Sequence, residues 1–280
     1  MNTLDDKYRT LINDILVNGI YKENRTDIPT ISQFGSSFRI NLNEGFPILT
    51  TRFHSFKVTF FETMMFLNGS SDTKTWLEDN GINIWKGNSS REFLDNRGLF
   101  DVPVGHIGKA YGYQWRNFGG VDQIAKVFDS LKNDPNGRRH IVTAWNPAEL
   151  DEMSLPPCHL LYQFSVDNGK LSCMFYMRSV DVYLGLPYNI MSYAFITMLF
   201  AKALGYGLGD LVFMGGDTHI YTNSIQNCNL LMSKEKFDLP QLLIKKDLKS
   251  LEDILSLKYD EVELVGYQNA GKLPKVDMAI

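Results

Sequence analysis

Leu155-Pro156-Pro157-Cys158-His159, an apolar run to Val166, the turn residues Asp167-Asn168-Gly169, and a second run ending in Arg178-Ser179-Val180-Asp181 decide how this chain folds. Each proline fixes its own φ, and Pro157 pushes Pro156 towards extended backbone, so Cys158 is delivered on a stiff arm. His159 to Val166 and Lys170 to Val180 read as strands, joined by a glycine-bearing hairpin turn. A hairpin returns the chain to where it began, which brings Arg178 back alongside Cys158. A guanidinium stays charged at physiological pH, and a cation beside a thiol favours the nucleophilic thiolate. The alternative for Cys158 is a small buried hydrophobe, the usual place of a free cysteine. The hairpin alone leaves both readings open.

The totals bound the answer. With 280 residues and 44% hydrophobic content, the chain can bury one large core, as a single domain or two fused ones. A net charge of -4 without a basic block gives nucleic-acid binding no electrostatic support. Three cysteines argue against a disulfide framework and for a reducing compartment. Met1 to Asp6 lacks the basic and apolar regions of a signal peptide. Ile190 to Leu204 is interrupted by Ser192, Tyr193 and Lys202, too short for a bilayer, and reads as a buried helix. The expectation is a soluble, cytoplasmic protein with no membrane or nucleic-acid partner. No G-x-G-x-x-G follows a strand, there is no Walker loop, and the His and Cys spacings suit no metal.

Outside the hairpin, Leu4, Tyr8, Leu11, Ile12, Ile15 and Leu16 fall at helical spacing before Gly19, and Ser32 to Leu42 reads as a strand. Phe56 to Leu67 reads as an apolar helix ended by Gly69, with Glu62 among Phe60, Phe61, Met64, Met65 and Phe66. Such a carboxylate is paired, protonated or facing a polar site, unless it lies on an outer face. Lys86 to Asp101 has few apolar anchors and is expected as a surface insertion. Ile124, Val127, Phe128 and Leu131 mark a helix stopped by Asn133-Asp134-Pro135, and Ile141 to Trp145 a strand.

Several polar residues carry two readings each. Arg25, in the loop Asn24 to Thr30, and the pair Arg138-Arg139 read on their own as solvated surface cations. Tyr111 reads as a half-buried aromatic with its hydroxyl in water. Asn189 offers a donor and an acceptor, or caps the helix that follows. Gly215-Gly216 suits close approach of backbone to a ligand, and His219 with Tyr221 can hydrogen-bond a sugar hydroxyl. Glu261 to Ile280 is expected to hold a strand, a glycine-bearing loop and a free terminal segment.

Pro157-Cys158-His159, then Arg178-Ser179-x-Asp181-Val182-x-Leu184-Gly185-Leu186-Pro187-x-Asn189-Ile190, then Gly215-Gly216-Asp217-Thr218-His219-x-Tyr221 resembles the thymidylate synthase family. Gly108 to Arg116 joins the likeness, which extends from about Asn24 to Ala279-Ile280. The resemblance implies an α/β (α+β) fold over residues 1–280, one domain with a large mixed, mostly antiparallel sheet covered by helices. It implies a homodimer with shared sites, dUMP as substrate and 5,10-methylenetetrahydrofolate as co-substrate, with no metal. By the same likeness Cys158 is the nucleophile, Glu62 organises water and proton transfer, Tyr111 is the active-site tyrosine and Asn189 reads the uracil edge. Arg25, Arg178 and Ser179, with Arg138 and Arg139 from the partner, hold the phosphate. His159 lies on the substrate, and His219 and Tyr221 hold the sugar. Trp85, Asp181, Leu184, Gly185 and Ala279 face the folate.

The sequence departs from the family pattern at four places. Asp27-Ile28-Pro29 replaces a glycine-rich loop, Met177 a glutamine and Asn88 a tryptophan, and Met278 alters the tail. Met177, Asn88 and Met278 keep a second family activity open, hydroxymethylation of dUMP, in which water captures the intermediate. A non-catalytic nucleotide- or RNA-binding relative is a third reading. Trp85 and Leu155 retain an apolar wall that excludes water.

Overall fold

The computed structural model describes residues 2–278. Its main sheet contains β1 (Ile20–Lys22), β2 (Thr30–Asn41), β3 (Ile141–Thr143), β4 (His159–Asp167), β5 (Lys170–Asp181) and β6 (Gly207–Tyr221). The strands run in the order β1-β2-β6-β5-β4-β3. Every neighbouring pair is antiparallel except β5 and β6, which are parallel. A separate antiparallel pair joins β7 (Gln241–Ile244) to β8 (Val262–Val265). The mixed, mostly antiparallel sheet expected from the sequence is what the chain forms.

The central hairpin follows from its turn. Asp167 pairs with Lys170, and Asn168 and Gly169 between them take φ of 51° and 71°. A two-residue turn whose twist matches its strands needs both central residues left-handed, and asparagine and glycine are the residues that tolerate it.

The helices are α1 (Leu4–Asn18), α2 (Phe56–Leu67), α3 (Thr73–Trp76), α4 (Arg91–Asn96), α5 (Gly112–Asn117), α6 (Gln123–Asn133), α7 (Leu186–Leu204), α8 (Ile225–Met232) and α9 (Leu251–Leu255). A parallel strand pair needs a long crossover, and α7 supplies it between β5 and β6. Because α7 lies under the sheet and against α2, it is apolar on most of its surface. Phe175 of β5 stacks on Tyr193 of α7 at 4.4 Å, and Phe195 meets Phe56 of α2 at 5.4 Å. Each such ring contributes on the order of 1.5–3 kcal/mol by leaving water. No helix among the described residues is long and apolar enough to cross a membrane.

Two sequence readings are corrected. Lys86 to Asp101 is not a loose insertion, since it contains α4 and buries Leu94 and Leu99. Ser90 caps α4 by accepting from Phe93 N, and Arg91 donates to Val102 O and Leu99 O, so polar groups anchor it. The end of the chain is also tied down, as far as it is described. Asn227 donates to Pro274 O at 2.8 Å and Asn223 to Asp277 O at 3.1 Å.

Candidate active site

Cys158 lies half-buried immediately before β4. Arg178 returns beside it, and its backbone N–H donates to Cys158 O at 2.9 Å. The carbonyls of the two prolines accept from the Arg178 guanidinium: Nε to Pro157 O and an Nη to Pro156 O, both 2.9 Å. Burial pushes the Cys158 thiol up, and Arg178, a Tyr111 hydrogen bond and Arg25 pull the other way without overcoming it. The sequence left the cation and burial as open alternatives for this thiol; the apolar surroundings outweigh the cation.

Tyr111 precedes α5 with φ 36° and ψ -93°, a backbone conformation that costs about 1–3 kcal/mol for a residue with a Cβ. Its ring stacks on Phe66 at 4.9 Å and lies 4.4 Å from His159. The hydroxyl is not in water. It accepts the Cys158 N–H at 2.8 Å in a buried setting that raises its own pKa well above the usual tyrosine value. His159 is buried too, its Nδ1 2.7 Å from the Tyr193 hydroxyl, and burial pushes it down to about 3, so it is neutral.

Glu62 sits on α2, a helix buried nearly all round, so no outer face was available to it. Its Oε1 accepts the Trp85 indole N–H at 2.7 Å. Burial pushes the carboxyl up to about 7, with the Trp85 bond acting in the other direction. A carboxyl poised at neutrality can both give and take a proton.

The parallel register places Ser179 beside Asp217 and Asp181 beside His219. Asp181 accepts from Tyr183 N and Leu184 N at 3.0 Å each, and burial raises it. His219 directs Nδ1 at Asp217 Oδ1, 2.9 Å away, and Lys22 Nζ holds the other carboxylate oxygen at 3.1 Å. That leaves His219 Nε2 for a ligand, with Tyr221 edge-on at 5.1 Å. The glycines before them do not serve a ligand as expected. A Cβ on Gly216 would lie 2.9 Å from Arg178 O, and one on Gly215 would lie 2.5 Å from Thr218 Oγ1, so strand packing requires them.

These groups share a cavity of about 1070 Å³. Cys158, Tyr111, Glu62 and Arg178 line it, as do His159, Ser179, Asp181, His219 and Tyr221. Trp85, Leu155, Leu184 and Gly185 form an apolar side. Asn189 also lines it and caps nothing, because α7 begins at Leu186 after Gly185. Its amide has no hydrogen-bond partner among the described residues. Arg25 stands at the rim in a loop closed by Asn24, whose Nδ2 donates to Ile28 O at 2.8 Å, with Asp27 at φ 59°. The departures Met177, Asn88 and Met278 line the same cavity. Arg138 and Arg139 do not: both are exposed and unpaired among the described residues, and Ala279 lies outside those residues. Among the described residues, no three His, Cys, Asp or Glu side chains are grouped to hold a metal.

Sequence reasoning missed Arg52 and the Lys22–Asp217 pair. Arg52 is buried, donates to Tyr183 O, lies 3.9 Å over the Tyr183 ring and donates Nε–H to His54 at 3.0 Å. It thereby holds the turn that follows Asp181. A lone arginine between Thr51 and Phe53 carried no local signal of this.

A bifunctional dihydrofolate reductase-thymidylate synthase of Paramecium tetraurelia is 42% identical over 289 residues. The alignment covers 99% of this chain and 61% of that relative, so the chain spans about three fifths of its length. Residues 6–280 match the family described as thymidylate synthase, and the chain belongs to that family.

Proposed function

We propose that residues 1–280 form a single catalytic domain that methylates dUMP to dTMP with 5,10-methylenetetrahydrofolate, working as a cytoplasmic homodimer. The observation that carries this reading is the convergence of Cys158, Tyr111, Glu62, Arg178 and Asn189, distant in sequence, on one cavity wall. The Cys158 thiolate adds to C6 of the pyrimidine, which turns the poorly nucleophilic C5 into an attacking centre. Because burial opposes thiolate formation, Arg178 and the Tyr111 hydroxyl are needed to favour it. Glu62, poised near neutrality, moves a proton at the pyrimidine oxygen. Asn189 donates to O4 and accepts from N3–H.

Arg25, Arg178 and Ser179 hold the phosphate, His159 supports the substrate pocket through Tyr111, and His219 and Tyr221 bind the sugar. The cavity exceeds what a nucleotide fills, and Trp85, Leu155, Leu184 and Gly185 give the excess an apolar face that suits a pterin ring, with Asp181 for its N–H groups and Ala279 in the expected set. The folate supplies the one-carbon unit and the hydride that completes the methyl group. Arg138 and Arg139 reach the partner's phosphate site, which their exposure away from this cavity supports. Met174, Tyr176, Val212 and Met214 pair across β5 and β6, alternating with buried Phe175 and Phe213, and offer a second copy an apolar sheet face.

Asn88 favours the second reading, hydroxymethylation. Its amide lines the cavity without a hydrogen-bond partner among the described residues and gives a water a foothold on the Trp85 side. Either reading requires the covalent adduct. A dUMP analogue carrying fluorine at C5 cannot lose that atom as a proton, so it should remain on the Cys158 peptide, detected by mass, when the folate is present. An unmodified Cys158 peptide with saturating analogue and folate would count against covalent catalysis.

A further inference from the structure

Tyr111 keeps its strained backbone only because both flanks are pinned. Before it, Gly108 pairs with Met153, and Lys109 N donates to Glu152 O at 3.0 Å. After it, Gly112 packs so closely on α2 that a Cβ there would lie 2.7 Å from Phe66 Cα. Lys109 adds a side-chain link, with Nζ 2.8 Å from Glu149 Oε1 and 2.8 Å from Glu152 Oε2. Glu149 Oε2 accepts from Gln114 Nε2 at 2.8 Å and from Asn146 Nδ2 at 2.9 Å. Gln114 Nε2 also donates to Lys109 O at 2.9 Å. Glu149 and Glu152 stand on the segment that runs directly into Leu155-Pro156-Pro157-Cys158.

We propose that Lys109 is a positioning residue: clamped by Glu149 and Glu152, it braces the segment carrying Tyr111 against the segment carrying Cys158 and keeps the Tyr111 hydroxyl on Cys158. The proposal rests on the reading of Cys158 as the nucleophile. An exposed ion pair alone contributes little, but here one ammonium closes a network whose other members are two carboxylates, two amides and a backbone carbonyl. Loss of the cation leaves Glu149 and Glu152 in mutual repulsion beside that network, and the backbone of Tyr111 relaxes towards an ordinary conformation. The hydroxyl then leaves the Cys158 N–H from which it accepts at 2.8 Å, and its pull on the thiol towards the thiolate goes with it.

The test is alkylation of Cys158 by iodoacetamide across pH in the full chain without substrate, followed by mass on the Cys158 peptide, since Cys173 and Cys228 are buried. Lys109→Met keeps the aliphatic stem. Its alkylation midpoint is expected at higher pH, with the rate at pH about 8 falling roughly three- to tenfold, and Lys109→Arg is expected to restore most of it. Tyr111→Phe should give the same shift, and adding Lys109→Met to it should change nothing further. Should Lys109→Met not fold, Glu152→Gln at the half-exposed partner is expected to shift the profile the same way by a smaller amount. A folded Lys109→Met profile that overlays the wild type, or a shift that adds in full to that of Tyr111→Phe, overturns the proposal. No nucleotide or folate enters this assay, so its outcome stands apart from any failure of the assigned reaction.

Discussion

Trp85 donates its indole N–H to Glu62 Oε1 at 2.7 Å, and both side chains are buried. One bond therefore joins the carboxyl assigned to proton transfer to the aromatic face assigned to exclude water. The pair also sets how stability depends on pH. Glu62 titrates at about 7 in the folded chain against an ordinary value of 4.5, so folding favours its protonated form. Its contribution is fully present below 4.5 and is lost as pH rises through about 7. Glu62→Gln stays neutral throughout. Relative to wild type it should gain about 2–3 kcal/mol between pH about 5 and pH about 8 while losing turnover. Urea unfolding at the two pH values measures this, and a difference that does not change with pH contradicts it.

Asn189 lines the cavity from the first turns of α7 with its amide unpaired among the described residues. Asn189→Asp should move preference from dUMP towards dCMP, because a carboxylate accepts from the cytosine amine and cannot donate to uracil O4. The ratio of the two kcat/KM values should change by at least about tenfold, the scale expected when a buried polar group loses its match. An unchanged ratio removes Asn189 as the base reader.

How far the chain could be read in advance depended on how local the cause was. The β4–β5 hairpin was legible because Asn168-Gly169 fixes its own turn and the flanking strands follow. Helix α7 was legible because it is apolar almost throughout. The long strand β6 was not, since Gly215-Gly216 suggested a place for a ligand to approach, and only the packing of Gly215 on Thr218 and of Gly216 on Arg178 explains the pair. The segment around α4 misled because caps and Arg91, not apolar spacing, hold it in place. Of the candidate site, Cys158, Arg178 and Glu62 were singled out by local context. Tyr111, Asn189 and the folate face came only through the family resemblance. The raised Cys158 thiol could not be foreseen, because burial is a property of the whole fold.

Arg138 and Arg139 stand away from the cavity of their own chain. If they act across a dimer, an inactive Cys158→Ser chain mixed with an inactive Arg139→Ala chain should recover activity, since some heterodimers carry one intact site. Up to about a quarter of wild-type activity is expected when equal chains exchange at random between symmetric dimers. No recovery after exchange has been verified by mass contradicts a shared site.

Asp217 fixes the tautomer of His219 while Lys22 holds the carboxylate from the other side. Asp217→Asn should raise KM for dUMP by about tenfold with a smaller effect on kcat, the pattern expected when ground-state binding is lost. Lys22→Met should do the same more weakly, since that pair is half-exposed. A fall in kcat at unchanged KM would place His219 in the chemistry and not in sugar binding.

The central claim is that Trp85, Leu155 and the residues beside them seal the site well enough for hydride, not water, to complete the reaction. Incubation of the chain with dUMP and 5,10-methylenetetrahydrofolate, with both the nucleotide and the folate products quantified, tests it most directly. The account predicts dTMP and dihydrofolate in equal amounts, and a rising share of 5-hydroxymethyl-dUMP in Trp85→Gly, where a smaller residue opens a path for water. Wild-type formation of 5-hydroxymethyl-dUMP with no dihydrofolate would contradict it.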